Sequence, residues 1–212
     1  MQTKHSQAWW NREKKVHIGC GPNVRLSGWL NVDQFPWPNV DLVTDVTKFW
    51  PFAELEAVYA EHFLQAIKLE DAVQLLIRIT NSLKVGSGVA RIATPNMRWA
   101  ANKARRSADP IEETISLNRS FHAWSHEFLW TYEFLRFLLE EIGAIGITEC
   151  EPHKSNHENF VDIEQHGSYT TDIDGNRSSV IVEFSRGNQR ASQPEKLFRY
   201  LSDNYYSHYS GH

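Results

Sequence analysis

Residues 16–21 read VHIGCG, and residues 28–33 read GWLNVD. The apolar run at 16–18 leads directly into Gly19-Cys20-Gly21, which is typical of a buried strand that enters a glycine turn. Glycine has no Cβ, so the backbone of such a turn can approach a ligand closely and face it with N–H groups. The second run ends on Asp33, whose carboxylate can accept hydrogen bonds from both hydroxyls of a ribose. This order of strand, turn, strand and acid predicts a nucleotide site.

The rest of the chain alternates short apolar runs with segments that have apolar residues at helical spacing. This alternation predicts an α/β fold: a doubly wound, Rossmann-like mixed sheet, mostly parallel with an antiparallel edge, and helices on both faces. Residues 98–118 are read only as a long polar stretch rich in Arg and Lys. The predicted strands are 16–18, 29–33, 41–45, 55–60, 89–94, 145–150 and 179–184, and the predicted helices are 70–83 and 131–142.

Length and composition describe an ordinary globular chain. It has 212 residues, of which 41% are hydrophobic and 23% charged, and a net charge of −4. This balance excludes wholesale disorder and argues against a protein that coats nucleic acid through a broadly basic surface. The sequence contains no long uncharged apolar run that would predict a membrane-spanning helix, and no apolar leader that would predict secretion. The expected compartment is therefore the cytoplasm. We expect one domain over 1–186 and a tail over 187–212 with a docking helix and a polar end. The alternative role of the tail is an interaction contact or a homodimer contact.

The motifs, taken in order, resemble those of small bacterial class I S-adenosylmethionine-dependent methyltransferases, of the methyltransferase type 11-like kind. The pattern of these enzymes reads LNLGCG…GWLNVD, and the resemblance covers about residues 14–186. It implies a methyltransferase that uses S-adenosyl-L-methionine as its cofactor. The further matching segments are DLVTD at 41–45, VYAEHFL at 58–64, LKVGSGVARI at 83–92 and the helix at 132–143.

The resemblance assigns cofactor contacts to matching positions. The amino-acid part of the cofactor falls to Gly19, Cys20 and Gly21, the ribose to Asp33, and the adenine end to Asp45 with Val46. Glu61 and His62 follow the fourth predicted strand, where such enzymes meet cofactor and substrate.

Several of these positions have other readings from the residues alone. Asp45 has an open alternative as a helix or turn cap. A dinucleotide fingerprint would require glycine at position 24, where Val24 stands, so an NAD-type oxidoreductase is disfavoured. The family's frequent Glu-His pair is Gln65-Ala66 here, which leaves a catalytically degenerate binding or scaffold protein as the alternative.

Histidines are the candidate bases for methyl transfer to a hydroxyl or amine, because imidazole accepts a proton near neutral pH. His62 leads, with an expected pKa near about 6.5, and His126 is second. Residues 121–127 combine imidazoles, an indole and a carboxylate, which suits a substrate wall.

The composition bears on the acceptor and on metals. Eight tryptophans, together with the resemblance, indicate a small-molecule or glycan-type acceptor and a role in polysaccharide biosynthesis. The basic run at 103–106 is a solvated face or a phosphate contact. No HExxH or zinc-ligand spacing occurs, so no metal is expected.

Overall fold

The computed structural model of the protein describes residues 9–122, 124–166 and 169–204. One seven-stranded sheet runs through this part of the chain, in the order β3-β2-β1-β4-β5-β7-β6. Strands β1 to β5 pair in parallel, and β7 pairs antiparallel with both β5 and β6. The predicted doubly wound mixed sheet with an antiparallel edge is therefore confirmed. The strands are β1 (Lys15–Ile18), β2 (Leu30–Asp33), β3 (Leu42–Val43), β4 (Ala57–Glu61), β5 (Val89–Pro95), β6 (Ala144–Glu149) and β7 (Ser179–Arg186).

Five α-helices accompany the sheet within the described residues, and short 3-10 turns lie at Trp9–Arg12, Leu64–Ala66 and Glu158–Phe160. The connections from β1 to β2 and from β2 to β3 contain no helix. Among the described residues, no helix has both the length and the apolar character needed to cross a membrane. The helices are α1 (Leu69–Ser82), α2 (Met97–Arg105), α3 (Pro110–His122), α4 (Tyr132–Glu141) and α5 (Glu195–Asn204).

Side-chain caps decide where several elements begin and end. The carboxylate of Asp45 accepts a hydrogen bond from the N–H of Thr47, which turns the chain, so β3 is shorter than its predicted span of 41–45. Asn96 caps α2 by accepting from the N–H of Arg98. A proline suits the first helical position because it has no N–H to satisfy, and Pro110 begins α3. The polar stretch at 98–118 therefore contains parts of two helices that the hydrophobic pattern alone did not predict.

The two faces of the sheet are covered differently. Buried apolar residues of α1, α4 and α5 form one large core cluster with the strands, and Leu197 and Leu201 of α5 belong to it. On the other face, Trp29 and Tyr59 pack against Phe160, in the connection between β6 and β7. Residues 205–212 of the predicted tail lie outside the described residues.

The β6–β7 connection is fixed to the sheet by a buried ion cluster. Arg91 of β5 is fully buried, and its guanidinium lies 2.5 Å from carboxylate oxygens of both Glu164 and Glu183. It also donates to the backbone carbonyls of Glu151 and Lys154. Because three of these partners lie in the first half of the connection, Arg91 ties residues 151–164 to the sheet.

Candidate functional site

The glycine turn follows β1 at the carboxyl edge of the parallel strands. Gly19 and Gly21 both have φ values in the left-handed region, +64° and +62°. A Cβ on Gly19 would clash with the ring of Phe63, whereas a Cβ on Gly21 would meet no atom within 4 Å. The side-chain amide of Asn39 donates to the carbonyl of Gly21 at 2.8 Å. The amide of Asn39 therefore fixes the turn, and the space beside Gly21 is open.

Asp33 ends β2 next to this turn. One carboxylate oxygen accepts the N–H of Gly21 at 2.9 Å, and the other accepts the N–H of Phe35 at 2.9 Å. Each carboxylate oxygen has two lone pairs, so each retains one for a further donor. The glycine turn and the acid that the sequence paired are thus joined directly, and the carboxylate can still receive two hydroxyl groups.

Asp45 and Val46 follow β3. One oxygen of Asp45 accepts from both the N–H and the hydroxyl of Thr47, and the other lies 2.9 Å from the ammonium of Lys48. The hydrogen bonds from Thr47 and Lys48 lower the pKa of Asp45. The cap that the sequence left open as an alternative is therefore formed. Val46 is buried, and both residues line a small cavity of about 30 Å³ beside Asp33 and Phe63.

Glu61 ends β4, and a distant part of the chain occupies its carboxylate. It accepts the N–H groups of Gln165 and His166 at 2.8 and 3.0 Å, and the hydroxyl of Tyr169. Burial raises the pKa of Glu61, but these hydrogen bonds outweigh it, so that the pKa lies below its ordinary value. In this structure Glu61 holds the β6–β7 connection against the end of β4.

His62 follows in a strained backbone conformation, with φ at +50°. Its ring stacks on that of His166, with centroids 3.9 Å apart and planes 5° from parallel, and its Nε2 lies 3.3 Å from the hydroxyl oxygen of Ser179. Burial, together with the neighbouring His166 and His126, lowers the pKa of His62 to about 4. The expectation of a pKa near about 6.5 is wrong for this histidine, because the ring is removed from water.

His126 lies after α3 and is oriented by one backbone contact. Its Nδ1 lies 2.7 Å from the carbonyl oxygen of Ser120. A carbonyl only accepts, so Nδ1 carries the proton and a neutral ring presents the lone pair of Nε2. The ring also stacks with that of Trp124, with centroids 5.9 Å apart.

One cavity of about 710 Å³ brings most of these groups together. It extends from the glycine turn past Glu61 and His62 to His126 and Trp124. Asp33, Asp45 and Val46 line the small neighbouring cavity instead. Sequence reasoning missed a set of lining residues that come from α2, from the β6–β7 connection and from the start of β7, and no local motif marks them. They are Trp99, Gln165, His166, Tyr169, Ser178 and Ser179.

No protein-family model and no curated protein matches the chain. Solved structures match it: a SAM-dependent methyltransferase from Archaeoglobus fulgidus shares 16% identity and a TM-score of 0.51, over 84% of this chain and 88% of the other. The SAM-dependent methyltransferase SibL shares 14% identity and a TM-score of 0.51, over 86% of this chain and 53% of the other.

A third solved structure is that of the small RNA methyltransferase HEN1, with 15% identity and a TM-score of 0.53, over 85% of this chain and 24% of the other. The chain has the class I methyltransferase fold. At these identities the likeness establishes the fold alone, and the narrower group indicated by the motifs stays a prediction.

Proposed function

We propose that the protein is a cytoplasmic S-adenosylmethionine-dependent methyltransferase that acts on a hydroxyl or amine of a small-molecule or glycan-type acceptor. The observation that carries this proposal is the cavity of about 710 Å³, in which the open glycine turn faces His62 and His126. In α/β sheets of this kind, ligands bind at the carboxyl ends of the strands. This volume lies within the range of about 300–1,000 Å³ that is usual for small-molecule sites.

The residues present fit the cofactor at its ribose and amino-acid ends. The missing Cβ of Gly21 leaves room beside the turn, and Asp33 retains one lone pair on each oxygen for the two ribose hydroxyls. The cavity beside Asp45 and Val46 measures only about 30 Å³. An adenine ring needs more space, so we expect the side chain of Phe63 to turn away when the cofactor binds.

S-adenosylmethionine, when bound, supplies the methyl group and its own leaving group, so the chain has to orient the acceptor and remove a proton. His126 suits the proton transfer, because the Ser120 carbonyl fixes its tautomer and leaves Nε2 as an acceptor. His62, with its pKa lowered to about 4, is neutral at pH 7 and a weaker base. We propose that His126 removes the proton and that His62 contacts the acceptor.

The first test is calorimetric titration with S-adenosylmethionine and with NAD, followed by detection of S-adenosylhomocysteine in an acceptor screen. Binding of the first ligand and turnover with some acceptor support the proposal. Binding of NAD alone would replace it with an oxidoreductase. Cofactor binding without turnover on any acceptor would favour the degenerate binding protein that Gln65-Ala66 suggests.

The second test assigns the base. His126→Ala should lower the turnover rate about 10²–10⁴-fold, the usual contribution of a positioned general base, with cofactor affinity unchanged. His122→Ala is the matched control, because His122 is exposed at the end of α3 and does not line the cavity. A wild-type rate in a folded His126→Ala protein would contradict the assignment and move it to His62.

A further inference from the structure

Two tryptophans line the large cavity that holds His62 and His126, the residues that we assign to the acceptor. Trp124 lies at its rim with 63% of its surface exposed, and its ring stacks with that of His126. Trp99 of α2 is half-buried in the wall, and the ammonium of Lys103 lies 4.8 Å from the centroid of its ring. Indole rings offer flat apolar surfaces on which the face of another ring can pack. Ligand cavities are lined mainly by apolar and aromatic side chains, so indoles in this wall suit a ring-bearing ligand.

The charges around the cavity restrict what can enter it. No lysine or arginine stands among the described residues that line it, and Glu61 is the one carboxylate among them. Two nearby arginines pair with carboxylates that do not line the cavity: Arg98 of α2 with Glu133 at 3.1 Å, and Arg106, just after α2, with Asp174 at 2.6 Å. A buried anion without a cationic partner is strongly disfavoured. A phosphate or carboxylate on the acceptor would meet Glu61 and no cation that lines the cavity, since the ammonium of Lys103 lies on the ring of Trp99 and outside the lining.

Hydroxyl and amide groups, which carry no charge, also line the wall. The hydroxyls of Ser178 and Ser179 and the amide of Gln65 line the same cavity. Ser179 is also within 3.3 Å of His62, where the acceptor would approach the site of methyl transfer. Hydroxyls and amides both donate and accept, so they match hydroxyl groups of a ligand.

We propose that the acceptor is an uncharged, ring-bearing hydroxyl compound that packs against Trp124 and Trp99, with a hydroxyl directed to the neutral groups beside His62. This rests on the proposed methyltransferase function. Neutral glycosides and simple phenols share this chemistry, and the test distinguishes them.

The experiment measures ligand binding to the full chain saturated with S-adenosylhomocysteine, by saturation-transfer NMR and calorimetry. The probes are methyl glucoside, its 6-phosphate and 4-methoxyphenol. At least one neutral probe should bind, and the phosphorylated probe should bind at least about tenfold more weakly. Trp124→Ala should weaken the neutral probe about tenfold, the scale of a lost ring contact. Trp99→Ala should weaken it in the same direction.

Trp37→Ala is the matched control. Trp37 is also exposed and packs on another aromatic ring, that of Phe35, but it does not line the cavity. The control should leave probe binding unchanged. The proposal is overturned if no neutral probe binds, if the phosphorylated probe binds equally well, or if Trp124→Ala and Trp99→Ala bind the neutral probe as wild type does. S-adenosylhomocysteine binding is recorded for each variant. If the wild-type protein does not bind S-adenosylhomocysteine, the result counts against the proposed function. The same probe titrations, done without S-adenosylhomocysteine, would still decide the acceptor class.

Discussion

The two sides of the site are built in opposite ways. On the cofactor side, contacts join residues close in sequence: Gly21 and Asp33 are 12 residues apart, and Asn39 and Gly21 are 18 apart. On the acceptor side, Glu61 and His166 are 105 residues apart, and His62 and Ser179 are 117 apart. A side assembled from neighbouring residues leaves a motif in the sequence, whereas a side assembled from distant segments depends on what holds those segments in place.

The acceptor side should therefore fail first when its long-range support is removed. Arg91→Met leaves Glu164 and Glu183 without their cation, and Glu164 is fully buried, so we expect a loss of about 3–5 kcal/mol in the free energy of unfolding. Urea unfolding measures it. Arg136→Met, which removes an exposed helical pair with Glu140, is the control and should cost less than about 1 kcal/mol. Equal effects of the two substitutions would show that the buried cluster does not support the connection.

The second prediction concerns pH. The pKa of His62 is lowered to about 4 in the folded chain, against about 6.5 when unfolded. The unfolded state therefore binds more protons between these values, and the free energy of unfolding should fall as the pH drops from about 6.5 towards 4. At about 1.4 kcal/mol per pKa unit, the full loss approaches about 3 kcal/mol.

His62→Gln should flatten this dependence, and unfolding curves at a series of pH values measure it. His122→Gln, an exposed imidazole, should leave the slope as it is in the wild type. An unchanged slope in His62→Gln would mean that the ring is hydrated in solution.

The third prediction probes the cofactor side. Asp33→Ala should weaken S-adenosylhomocysteine binding by about 1.5–3 kcal/mol, the scale of hydrogen bonds to a charged group. Asp45→Ala should weaken it less, because Thr47 and Lys48 already occupy that carboxylate. Calorimetry on both variants gives the comparison, with unfolding curves to confirm that each is folded. A larger effect at Asp45 would reverse the roles of the two acids.

The smallest expected effect lies at Glu61. Glu61→Gln keeps one accepting oxygen for the donors at 165, 166 and 169 but removes the charge, so local opening should become easier by about 1 kcal/mol. Faster exchange of the amide hydrogens of Gln165 and His166 measures it. Glu56→Gln, at an exposed position just before β4, should change neither amide. If exchange is unchanged and only cofactor affinity falls, Glu61 is the cofactor contact that the motif resemblance implied.

The comparison also shows which elements the sequence could predict. The spacing of apolar residues, together with turn residues, was sufficient to predict β1, β2 and α1. Each of these elements carries its own apolar pattern and its own end signal. The same reasoning missed α2 and α3, whose start signals are present in the sequence, as the cap Asn96 and the first helical residue Pro110, but whose interiors are polar. It also made β3 too long, because a side-chain cap at Asp45 ended the strand.

By itself, the sequence determined the doubly wound sheet and the pairing of the glycine turn with Asp33, since both depend on residues that are near neighbours along the chain. Only the tertiary structure decided that Glu61 holds the β6–β7 connection, that His62 is stacked and largely neutral, and that Trp99 and Trp124 share one cavity. The first two of these depend on the β6–β7 connection, which Arg91 fixes to the sheet through Glu164, more than 60 residues away. Burial and long-range packing set the charge and position of these groups, and no local pattern of residues predicts that burial or that packing.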